Sequence, residues 1–319
     1  MKKIREKFQK KHAFTIVELL TVMAIIIILI GLLVPSLNMV RRYALYVKQR
    51  NQLSAIGKAI EFYNVQRDGY PDSSAFDPVP LPYCGAMKLC EAMVGQDLLG
   101  FHPNSHFFQT GTTDGAASTC GVTELYPSRG IPGSSLVSMA PRCAADPILI
   151  QTSMRERQDL YLTLESANAY RLGEIYNAAN LSSFNLPPAI PVLCDVYNRL
   201  TNIATGKNIG MPILYYKANI SNTIHDANFP NLSIYNSADN QILIDLPLPW
   251  DPFSNHPMAT FGTTPDGTPV SGPSLFYQKT RNPAIELPSR PYKADSFILM
   301  SAGFDGLYGT KDDVFDFEK

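Results

Sequence analysis

The sequence predicts an α+β protein: a long N-terminal helix, transmembrane first and amphipathic after, packs on a small antiparallel β-sheet beside a large loop-rich insertion. Three observations predict this. Residues 14 to 34 form one apolar run broken by a single charge, Glu18. Apolar side chains then recur at a 3-4 spacing through Leu37, Val40, Ala44, Val47, Leu53, Ile56, Ile60 and Tyr63, the period of a helix with one buried face. All but one of the 25 prolines lie from Pro71 onward, among short apolar runs separated by turn signals.

The first 13 residues hold six Lys or Arg against one Glu, the composition of a segment retained on the cytoplasmic side of a membrane. The apolar run that follows is long enough to cross a bilayer, since about 20 helical residues rise roughly 30 Å. A secretory signal would have a shorter core and a small residue after it, whereas Ala13 precedes this run. Cutting between Ala13 and Phe14 would put a free α-amine on Phe14, one helical turn from Glu18. A carboxylate within a spanning helix is costly and is retained with a partner, and that amine, cationic at neutral pH, is the partner within reach. Pro35 removes a backbone hydrogen bond and should kink or loosen the helix. Without a full break the helix would run to about Gln66, roughly 80 Å at 1.5 Å per residue. Pro71 ends it by disfavouring helix at Tyr70. A basic cluster, Arg41, Arg42, Lys48 and Arg50, reads as a solvated or lipid-facing stripe.

These residues resemble the class III signal of type IV pilins and type II secretion pseudopilins: a basic leader, then Ala13, Phe14, Thr15, Ile16, Val17, Glu18 and Leu19, with Ala13 where the family has Gly. Pro35 matches the position of a helix-loosening proline in many pilins, and Asp68-Gly69-Tyr70-Pro71 resembles the end of the helix in a major pseudopilin. The resemblance implies a pilin-like fold, removal of residues 1–13 by a prepilin peptidase with methylation of Phe14, and assembly into a filament through Phe14, Glu18 and Pro35. It implies four parts: a leader (1–13), a filament-core helix (14–36), its amphipathic continuation (37–70) and a periplasmic head (71–319). Other pseudopilin subunits, an inner-membrane assembly platform and membrane lipid are the implied partners. Residues 291–319 also match the family, while about 220 residues between the two matching regions have no counterpart in a typical, shorter major pseudopilin.

Within the head, 89–99 and 155–176 read as helices, and 213–217, 242–246, 296–301 and 314–317 as strands. Residues 101–142, rich in Gly, Ser, Thr and Pro, read as an irregular surface excursion. The C-terminal stretch from Ser301 to Asp313 combines three glycines with Asp305, Asp312 and Asp313. Calcium takes 6–8 oxygen ligands in flexible geometry, and three carboxylates, the Ser301 hydroxyl and backbone carbonyls at Leu307 and Tyr308 would nearly complete such a shell. The spacing does not fit an EF-hand but resembles the calcium loop of major pseudopilins; the plain alternative is a solvated acidic turn between two strands.

Five cysteines allow oxidation outside the cytoplasm but leave one unpaired, with Cys84–Cys90 pairing and buried free thiols both open. A net charge of −1 gives no electrostatic support to a nucleic-acid partner. No nucleophile elbow, zincin motif, phosphate loop or redox Cys-x-x-Cys occurs. The expected function is therefore non-enzymatic, a pseudopilin subunit of a type II secretion-type filament. The alternatives are a minor type IV pilin serving adhesion, motility or DNA uptake, and a surface enzyme or binding protein using the helix only as an anchor.

Overall fold

The structure is a computed structural model that describes residues 15–76, 78, 81–116, 124–127, 147–158, 160–202, 205–263, 267–285 and 288–318. Ala13, Phe14, Cys120 and Cys143 lie outside the described residues. The chain divides into two compact units, Met1–Leu45 and Tyr46–Lys319.

Helix α1 (Ile16–Arg67) runs through both units and continues across Pro35. In the first unit its apolar side chains, from Ile16 to Tyr43, are exposed. By length and composition this helix can cross a membrane. In the second unit the predicted stripe is buried: Leu53, Ile56, Ala59, Ile60 and Tyr63 form a core with Ile213, Tyr215, Phe297, Leu299 and Val314. The helix ends where Asp68 takes a left-handed φ of 53°, three residues before Pro71.

Helices α2 (Gly85–Val94) and α3 (Pro147–Glu156) follow, then α4 (Leu164–Ala167), strand β1 (Ala169–Arg171), α5 (Leu172–Ile175) and α6 (Ala178–Ser183). Strands β2 (Pro191–Leu193), β3 (Leu200–Thr201), β4 (Asn208–Ile209) and β5 (Leu214–Lys217) precede α7 (Gln241–Ile244) and α8 (Gly272–Thr280), and β6 (Phe297–Ser301) and β7 (Val314–Phe315) close the chain. Among the described residues the named strands all pair antiparallel, giving β1–β2, β3–β4 and a three-stranded β5–β6–β7 sheet. In that sheet Leu214 faces Met300 and Met300 faces Phe315, so β6 is central.

The three-stranded sheet is apolar on both faces, and the alternation of side chains sorts its residues into two cores. Phe297, Leu299, Tyr215 and Val314 point to the α1 side. Ile298, Met300, Leu214, Tyr216 and Phe315 point to a second core with Leu172, Leu243, Phe276 and Tyr308, contributed largely by the inserted region. The insertion thus covers the face that a one-layer head would leave in water. All ten residues of α2 are buried. The Asn240 side chain accepts from Ala86 N at 2.8 Å and donates to the Tyr215 carbonyl at 2.7 Å, fastening the start of α2 to β5. Gly85 is required there, because a Cβ would lie 2.3 Å from the Tyr215 oxygen.

Three predicted elements differ. The expected helix over 155–176 is interrupted: Asn168 turns left-handed after α4, and 169–171 pair with β2 instead. The helix expected over 89–99 starts earlier, at Gly85, and stops at Val94 because Gly95 adopts φ 80° against Gly100. The strand expected over 242–246 falls on α7, a short apolar run whose period does not separate strand from buried helix. Strands at 214–217, 297–301 and 314–315 match expectation to within two residues. Cys84, Cys90 and Cys194 are buried free thiols.

Candidate functional site

Two loci carry the residues singled out by the sequence. The first is the start of α1. Thr15 N and its hydroxyl donate to Glu18 Oε2 at 2.9 and 2.8 Å, while Glu18 N donates back to Thr15 Oγ1 at 3.3 Å. This is a capping box, in which a threonine and the glutamate three residues on satisfy each other's backbone donors at the first turn. Glu18 therefore has a partner inside its own helix, one not assigned from the sequence; the Thr-x-x-Glu spacing is the signal that points to it. Pro35 lies within α1, and the neighbouring Ser36 hydroxyl donates to the Leu33 carbonyl at 2.8 Å.

The second locus is the turn that joins β6 to β7. Gly303, Gly306 and Gly309 all have positive φ, and a Cβ on Gly303 would lie 1.8 Å from the Asp312 carbonyl oxygen, so the loop closes tightly on itself. Several of the six predicted ligands have partners within the protein. Ser301 turns inward, donating to Asp195 Oδ2 at 3.0 Å and accepting from Gly303 N at 3.2 Å. The Tyr308 carbonyl accepts from Met258 N at 3.0 Å, and Tyr308 N donates to His256 Nδ1 at 3.2 Å. Asp313 accepts from Gly309 N at 3.0 Å and meets Lys279 Nζ at 3.0 Å. The Leu307 carbonyl accepts a long bond from the Thr310 hydroxyl at 3.4 Å.

Asp305 is half-buried and accepts from Leu307 N at 2.9 Å. Its pKa is raised by burial, with the neighbouring charge of Asp312 adding to the shift and Arg199 opposing it. Asp312 is exposed. Burial also raises the Asp313 carboxyl, against the pull of the Lys279 ammonium. Among the described residues, no three His, Cys, Asp or Glu side chains stand together as a metal-holding group. Asp305 and Asp312, with nearby carbonyls, are hard oxygen donors that suit calcium, while Ser301, Tyr308 and Asp313 are engaged by the protein itself.

Several buried polar groups had no signal in the sequence because their partners are remote in it. Asp195, pushed up to about 7 by burial, takes backbone bonds from Tyr197 and Met211 at 3.2 Å beside Ser301. Lys88 is 1 % exposed and donates to Asp72, Ser74 and the Phe76 carbonyl, pinning the chain that leaves α1. Asp239, raised to about 7 by burial, accepts from Ser73. These groups fasten loops to the core. Comparison of the chain with protein-family models, with curated proteins and with solved structures returns no match.

Proposed function

We propose that this chain is a pseudopilin-type subunit, cut between Ala13 and Phe14 and assembled through its N-terminal helix into a filament of a type II secretion-type system that drives protein export. The observation that carries the reading is the basic leader and the Phe14–Leu19 motif at the start of an apolar helix whose later turns pack on an antiparallel sheet. In this reading the N-terminus is cytoplasmic, the head is periplasmic, and a prepilin peptidase, an inner-membrane platform, membrane lipid and other pseudopilin subunits are the partners. The uncovered apolar side chains of the first unit would be buried by lipid before assembly and by neighbouring helices after it. Intact mass and N-terminal analysis of the protein from its native host should give a chain beginning at Phe14, N-methylated. A mature chain that keeps Met1–Ala13 would overturn the proposal.

One observation favours a second reading. The Thr15–Glu18 capping box explains the carboxylate without any filament, leaving the helix as an anchor for a head that binds or acts elsewhere. The large inserted region would suit a minor type IV pilin as well.

Calcium at the C-terminal loop belongs to the same proposal, with Asp305 and Asp312 as its carboxylates. Two like charges on one short loop repel, and a bound cation reverses that sign. Binding only the folded chain, calcium should add about 2.7 kcal/mol of stability when its free concentration reaches ~100 times Kd, and magnesium should substitute poorly. Thermal unfolding of the full chain in detergent with calcium, with magnesium and with chelator is the check. Coincident curves would remove calcium from the proposal.

A further inference from the structure

We infer that the C-terminal loop carries its own cation: the ammonium of Lys279, on helix α8 of the inserted region, takes the place at Asp313 that a metal would have to fill. The inference concerns the loop alone and stands whether or not the chain assembles into filaments.

Lys279 Nζ reaches two oxygens of the loop at once. It donates to the Thr310 carbonyl and lies 3.0 Å from Asp313 Oδ2. The pair is largely withdrawn from water, the Asp313 side chain being 1 % exposed and that of Lys279 22 %. A carboxylate and a carbonyl converging on one positive centre is the arrangement a hard cation demands of a loop. Here the centre is covalently part of the chain. Gly309 N donates to both oxygens of Asp313, at 3.0 Å to Oδ2 and 3.3 Å to Oδ1, so the ammonium, the carboxylate and the glycine turn form one continuous closure.

The other side of the loop is also held by the inserted region. Tyr308 is bonded through its N–H to His256 and through its carbonyl to Met258. Gly309 approaches so closely that a Cβ there would meet Met258 N at 3.0 Å. The His256 ring packs at a tilt of 53° against Tyr308, with centroids 4.6 Å apart. Residues 256–258 grip the middle of the loop while Lys279 neutralises its end. The insertion therefore does for this turn what an external ion does for a free-standing acidic loop. Any calcium held by Asp305 and Asp312 would act on the outer side, leaving Asp313 to the lysine.

The test uses full-length protein in detergent micelles, comparing wild type, Lys279→Met, Asp313→Asn and the double variant, each with chelator and with calcium. Amide hydrogen exchange over residues 301–313 and thermal unfolding are the readouts. In chelator the wild-type loop should stay more protected than that of Lys279→Met, whatever calcium adds. Lys279→Met should speed exchange across the loop by about tenfold, because it leaves Asp313 buried without a counter-charge. The double variant should recover most of that protection, since neither charge remains, and Asp313→Asn alone should lose less than Lys279→Met. Should Lys279→Met fail to fold, recovery of folded protein by the second substitution reports the same coupling. The inference is overturned if Lys279→Met in chelator exchanges like wild type in chelator, or if the two substitutions simply add. A calcium response of the wild type reads separately on the proposal for Asp305 and Asp312.

Discussion

Glu18→Val is expected to reach the membrane as well as wild type or better, yet to be absent from filaments. Deleting the carboxylate removes the polar cost of placing it in hydrocarbon, so insertion improves. Assembly should fail because, in the proposed filament, Glu18 of one subunit neutralises the Phe14 amine of another, and without it that amine enters an apolar surround uncompensated. The capping box supplies a sharper control. Glu18→Gln keeps an oxygen for Thr15 N and preserves the first turn, but carries no charge. If Glu18 serves only to cap α1, the Gln variant should assemble like wild type; if charge pairing drives assembly, Gln should fail as Val does. Immunodetection of each variant in membrane and sheared-filament fractions separates the two, and normal assembly of both variants would sink the pairing.

Arg157→Met should produce a large loss of stability in the second unit. Arg157 Nη1 lies 2.7 Å from Asp97 Oδ1, with side-chain exposures of 2 % and 0 %, and its other nitrogens donate to the Leu125 carbonyl and the Ser153 hydroxyl. Asp97 Oδ2 already lacks a partner, so removing the guanidinium leaves a buried carboxylate almost unsupported. Breaking one side of such a pair costs about 3–5 kcal/mol, which for a unit of this size lowers Tm by roughly 10 °C. Adding Asp97→Asn should return part of the loss, because the charge left behind is what costs most. Thermal unfolding of the two variants in the full chain is the measurement. A Tm within a degree or so of wild type for Arg157→Met would show that water reaches Asp97 and that the pair contributes little.

Helix α1 and the three-stranded sheet were legible because their signals are local. A 3-4 apolar spacing from Leu37 to Tyr63 needs no information from elsewhere in the chain, and the runs at 213–217 and 296–301 are apolar at successive positions because both faces of the sheet are buried. The misread elements are those where tertiary contacts override propensity. Residues 169–171 carry no strand pattern of their own and become β1 by pairing with 191–193, across an αL turn at Asn168 that nothing in the helical spacing announced.

The sequence by itself determined the long apolar helix, the tight glycine turn between the last two strands and the mixed α+β character of the head. Each rests on the period, spacing or backbone freedom of neighbouring residues. Only the tertiary structure decided which charges meet: Arg157 with Asp97, Lys88 with Asp72, and Lys279 with Asp313. Those partners are separated in sequence and meet only in the folded chain, where a charge taken out of water is costly unless it is paired.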